Sequence, residues 1–203
     1  YGNPSGEYIL EVQEHGKVIK AYKYGEDYKS LTNISHKGEV TASGAEVSVN
    51  DNSRSNGEIA LVDTYDISRI IKLCELGYKG IIAQSSTPIS RRKGQSGVEG
   101  TNPALKVPRV SVSKDVYTEL ADYCKRGCKI HLKSSYEVRK FTARNVIGLL
   151  KSRTPYNKYV IVSAHMDHLG PDPDGAYFPG ALDNASGTAC MIETARAIAS
   201  QNI

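Results

Sequence analysis

Residues Tyr159–Gly170 read YVIVSAHMDHLG, and residues Pro179–Ser200, after a Pro/Asp/Gly-rich loop, read PGALDNASGTACMIETARAIAS. The apolar run Tyr159 to Ser163 predicts a buried strand that ends in a polar cluster. Such a strand delivers His165, Asp167 and His168 at its carboxyl end, where open α/β sheets place their ligands. The small and polar residues Gly180 to Gly187 allow close backbone approach before a helix predicted from about Ser186 to Ala199. Asp183 then lies near a helix N-terminus, where exposed amides and the helix dipole favour a charged carboxylate.

Imidazole and carboxylate are preferred zinc ligands, and a carboxylate can bridge two ions with one oxygen to each. His165 has the chemistry to bind one metal through a ring nitrogen, and Asp183 the chemistry to bridge two. Asp167, two residues beyond His165, shares its face on a regular strand and is placed to orient metal ligands through a hydrogen bond. Taken singly, each has a plain structural reading: a histidine at a strand end is usually hydrogen-bonded, and an aspartate before a helix is usually a cap. Their convergence favours a site. For His168 a structural or supporting role is favoured over that of a third ligand.

The blocks SAHMDHLG, Ser163 to Gly170, and GALDNASG, Gly180 to Gly187, resemble the signature of the M28 metallopeptidases. NVIGLL, Asn145 to Leu150, resembles the strand leading into that family's catalytic sheet. The resemblance implies that His165 binds one zinc, Asp183 bridges two, and Asp167 is the catalytic-site aspartate that helps hold the ligands. It also implies a cis peptide between Asp183 and Asn184, and a peptide substrate. The family's adjacent Glu-Glu pair, its later acidic ligand and its last His ligand are expected beyond Ile203. The expectation is therefore a zinc aminopeptidase parent with two zinc ions per complete site, and a 203-residue piece that is inactive and binds zinc weakly or not at all.

Upstream, Tyr8 to Tyr24 alternates apolar and polar residues around His15-Gly16 and predicts a hairpin. Thr41 to Gly44 and Asn50 to Gly57 read as turns. From Glu58 a βαβ-like unit follows: Ile59 to Val62, a helix over Ile67 to Leu76, and the run Gly80 to Ala83. A basic loop with Arg91, Arg92 and Lys93 precedes a second strand and helix, Val107 to Val112 and Lys114 to Lys125. GEIALVDT (Gly57 to Thr64), YKGIIAQ (Tyr78 to Gln84) and VPRVSVSKD (Val107 to Asp115) resemble, in their order, the protease-associated domain often inserted in M28 enzymes. That resemblance implies an accessory lid or protein-contact surface.

The expected fold class is α/β: a β-rich protease-associated domain over 1–138, with its core about 36–134, then the incomplete start of a zinc-exopeptidase sheet domain over 139–203. Val138 to Leu150 reads as an extended strand and Thr154 to Asn157 as a turn.

With 26 Lys and Arg against 22 Asp and Glu, the net charge of +4 leaves no electrostatic footprint for nucleic acid or anionic membrane. No run of about 18 apolar residues is present to span a bilayer. The start at Tyr1, with no basic-then-apolar leader, fits a processed or trimmed polypeptide. An extracellular or cell-surface location is expected by family analogy. Cys74, Cys124, Cys128 and Cys190 lack zinc-ribbon spacing and read as thiols, with Cys124 and Cys128 on one face of a helix. The rival to an enzyme is a receptor-like or peptide-binding module that keeps the fold without catalysis.

Overall fold

The computed structural model describes residues 7–31, 38–64, 66–89, 107–134, 142–152, 157–171 and 174–201. The chain separates into two units, residues 2–139 with 172–174, and residues 140–171 with 175–203.

In the first unit the hairpin β1 (Tyr8–Glu14) and β2 (Lys17–Ala21) turns at His15 and Gly16, both at positive φ. Then come β3 (Tyr28–Ser30), β4 (Gly38–Glu46), β5 (Ile59–Val62), α1 (Ile67–Glu75), β6 (Gly80–Gln84), β7 (Arg109–Val112), α2 (Lys114–Lys125) and β8 (Lys129–Ser134). These eight strands form one sheet in the order β2-β1-β8-β4-β5-β6-β7-β3. β4 to β7 are parallel, while β8 joins β4 and β1 antiparallel. The fold is mixed α/β.

β5 and β6 are buried on both faces, which is why Ile59 to Val62 and Gly80 to Ala83 read as unbroken apolar runs. Ile59 and Leu61 pack with Leu120 and Val116 of α2, whereas Ala60 and Val62 pack with Ile70 and Leu73 of α1. Local chemistry starts both helices: Asp66 accepts from the Arg69 amide at 2.7 Å, and Ser113 accepts from the Val116 amide at 3.3 Å. α2 stops because Gly127, at φ 80°, turns the chain so that its own amide and that of Cys128 bond back to the Cys124 and Tyr123 carbonyls.

That stop corrects the expectation for the cysteines. Cys124 lies on α2, but Cys128 lies past its end and does not share its face. All four cysteines are free thiols, Cys128 being buried and Cys190 exposed.

Thr41 to Gly44 is also not a turn. It lies inside β4, which pairs with β8 up to Ser43 and with β5 from Gly44 onward. The small residues there answer to packing, because a Cβ on Gly44 would collide with the Cys124 sulfur. The structure adds β3 and β8, which the sequence reading lacks. The Arg91 to Lys93 loop lies outside the described residues.

In the second unit, β9 (Gly170–Pro171) and β10 (Tyr177–Phe178) pair antiparallel, and α3 (Ser186–Ser200) follows a wide turn over Ala181–Ala185. The strands expected at 138–150 and 159–163 are not formed: 142–150 and 159–163 carry no strand, and 138–141 lie outside the described residues. A strand exists only through ladder bonds to a neighbour, and among the described residues no strand pairs with these segments. Val160 is 94% and Ile161 85% exposed. No residue of α3 is buried. No helix among the described residues is long and apolar enough to cross a membrane.

Candidate functional site

His165 and Asp167 lie on the segment before β9, outside any helix or strand, and Asp183 lies in the turn before α3. Asp183 is held out of the helix, at φ −118° and ψ 92°, and its peptide bond to Asn184 is cis. All three side chains are exposed.

The structure brings the three together. His165 Nε2 is 3.2 Å from Asp183 Oδ1, and His165 Nδ1 is 3.3 Å from Asp167 Oδ1. Nδ1 is also 3.0 Å from the Asp167 backbone oxygen. A carbonyl only accepts, so Nδ1 carries the proton and Nε2 is the ring nitrogen turned toward Asp183. In a neutral ring that nitrogen presents a lone pair to a carboxylate oxygen. Two acceptors at 3.2 Å are compatible only with a positive species between or upon them, a second proton or a metal cation.

A zinc ion with ligands at about 2.0–2.2 Å in tetrahedral geometry separates its donors by about 3.3–3.6 Å. The nitrogen-to-oxygen distance of 3.2 Å is close to the lower end of that spacing, and the donor set of imidazole and carboxylate fits the ion. It is half a shell at most. Among the described residues, no group of three or more His, Cys, Asp or Glu is arranged to hold a metal.

His168 is half-buried and packs on Gly180, where a Cβ would run into its ring. Sequence reasoning missed Thr188, whose hydroxyl reaches the His165 carbonyl at 3.0 Å and the Asn184 carbonyl at 3.2 Å. The first unit holds a groove of about 420 Å³ lined by residues including Glu14, His15, Arg126 and Lys129, and none of the site residues belongs to it.

Residues 145–203 match the sequence pattern of Peptidase family M28. This segment belongs to peptidase family M28. Both signature blocks and the His165–Asp183 pair fall inside it. The M28 assignment covers the carboxy-terminal part of the chain, and 2–139 forms its own unit.

The chain is also 31% identical over 140 residues to the probable lipoprotein aminopeptidase LpqL of Mycobacterium tuberculosis (strain ATCC 25618 / H37Rv). That alignment covers 69% of this chain and 26% of the relative, so the chain spans about a quarter of the relative's length. Among solved structures, an aminopeptidase from Aneurinibacillus sp. strain AM-1 matches at 19% identity and TM-score 0.45, over 66% of this chain and 32% of its own. The subtilisin-like protease Apa1 from the Antarctic psychrotroph Pseudoalteromonas sp. AS-11 matches at 19% identity and TM-score 0.44, over 66% and 34%. Superpositions this loose bear on neither fold nor function.

Proposed function

We propose that the full-length protein is a zinc-dependent aminopeptidase and that His165, Asp167 and Asp183 are part of its metal site. The observation that carries the reading is the 3.2 Å approach of His165 Nε2 to Asp183 Oδ1, which puts an imidazole nitrogen and a carboxylate oxygen close to the spacing of two donors on one zinc ion. In this reading His165 would supply a ring nitrogen and Asp183 a carboxylate shared by the two zinc ions, while Asp167 would fix the imidazole through Nδ1. When bound, the zinc pair would polarise the peptide carbonyl and make bound water nucleophilic near neutral pH.

The chain's own contribution is orientation. The Asp167 carbonyl holds the proton of His165 on Nδ1, and the turn at Asp183 keeps that carboxylate outside the helix. The 203-residue chain contains no adjacent Glu-Glu pair to serve as base and ligand. We therefore propose that this piece alone does not hydrolyse peptides.

Residues 1–138 are proposed to form a protease-associated accessory domain and 139–203 the first part of the peptidase domain. The name of the mycobacterial relative, a lipoprotein, supports a proposed location at the cell envelope or surface.

The test is hydrolysis of a chromogenic aminoacyl anilide by the full-length protein. Activity removed by a chelator, restored by Zn²⁺ and absent toward the N-acetylated anilide is expected. A metal-loaded full-length protein that cleaves none of a panel of such anilides contradicts the proposal.

A further inference from the structure

We infer that Thr188 is a positioning residue whose hydroxyl ties together the two backbone segments that present His165 and Asp183; its relevance to metal binding rests on the reading above. Thr188 lies in the first turn of α3 and is half-buried. Its Oγ1 is 3.0 Å from the carbonyl of His165 and 3.2 Å from that of Asn184, the residue after Asp183.

Half of this arrangement is ordinary. A threonine in a helix often donates to the carbonyl four residues back. Thr118 does so to Lys114 at 3.0 Å, and Thr194 to Cys190 at 2.8 Å. Thr188 makes the same bond to Asn184, but its hydroxyl also reaches a carbonyl 23 residues away, at the shorter of its two distances.

Both acceptors adjoin the pair. One is the backbone of His165 itself, and the other belongs to Asn184, which is non-helical like Asp183 before it. The fit at this turn is close, since a Cβ on neighbouring Gly187 would strike the Asn184 side chain. A hydroxyl proton shared between these carbonyls fixes the spacing of the two segments. Ligand geometry tolerates displacements of only about 0.5 Å, so a shift of either segment would separate Nε2 from Oδ1. Removing a partner that orients metal ligands lowers metal affinity by about 10- to 100-fold.

Valine keeps the shape of Thr188 and removes the hydroxyl; serine keeps the hydroxyl. In the metal-free 203-residue chain, a nuclear Overhauser contact between the His165 ring and the Asp183 β-protons is expected in wild type and Thr188→Ser, and lost in Thr188→Val. In the full-length protein, Zn²⁺ affinity by competition with a chromophoric chelator is expected to fall at least about tenfold in Thr188→Val and stay within about twofold in Thr188→Ser. A contact unchanged in Thr188→Val, or missing from wild type, overturns the inference. If the contact follows the hydroxyl as expected but the wild-type full-length protein binds no Zn²⁺, the positioning role stands and the metal reading falls.

Discussion

His165 Nε2 and Asp183 Oδ1 stand 3.2 Å apart, although one belongs to the segment before β9 and the other to the turn that opens α3. Neither residue is buried. No hydrophobic core encloses the pair; backbone contacts set it, namely the Asp167 carbonyl on Nδ1 and the Thr188 hydroxyl on the His165 carbonyl. Such a site responds to changes in hydrogen bonding more than to changes in packing.

The backbone of the M28 segment predicts where the chain is cut first. Segments 142–150 and 160–163 carry no strand, and Val146, Ile147 and Val160 are at least 86% exposed. Exposed backbone outside helices and strands is the preferred substrate of proteases. Brief digestion of the 203-residue chain is expected to cleave within 142–163 and to leave β5 to β7 intact, as read by mass spectrometry of the fragments. Initial cleavage within β5 to β7 would contradict this.

Burial pushes the Cys124 thiol up to about 11, while Cys190 is exposed on α3. A raised value means that the fold favours the neutral thiol. Its contribution to stability is complete below the unfolded thiol's value of about 8.5 and is lost as pH rises from there through about 11. At about pH 8, iodoacetamide is expected to modify Cys190 rapidly and Cys124 only after denaturant is added. Equal labelling of the two native thiols would show that Cys124 is not packed as described.

Gly44 lies against the same sulfur. A Cβ there would collide with Cys124 Sγ and crowd Ile130 and Leu61 at 3.0 Å. Gly44→Ala is expected to cost about 1–3 kcal/mol, the usual range for overpacking. Cys124→Ala removes the sulfur, so the double variant should be more stable than the sum of the single changes predicts, a coupling that denaturant unfolding measures. Strict additivity would mean that the two do not touch.

The centre of the sheet was legible because β5 and β6 are apolar on both faces. Ile59 to Val62 and Gly80 to Ala83 read as buried strands, and the three-and-four spacing of Ile67, Ile70, Ile71 and Cys74 reads as a helix. β8 carried a usable signal, with Ile130 and Leu132 turned inward between Lys129, His131 and Lys133. β4 was hidden because Ser43 and Gly44 have turn-like chemistry, and the Cys124 sulfur that requires a small residue there is distant in sequence. The run at 159–163 has strand composition, but a strand is a property of two partners and composition reports one. At the site, the side chains of His165 and Asp183 announced themselves, whereas the Thr188 tie did not, because its acceptors are backbone carbonyls.

The central claim is that His165 and Asp183 belong to one metal site, and metal analysis of the full-length protein tests it most directly. Inductively coupled plasma mass spectrometry after zinc loading and desalting is expected to find two zinc ions per wild-type chain and loss of the pair in Asp183→Ala, with the fold preserved by circular dichroism. An Asp183→Ala protein that retains both zinc ions would contradict the account.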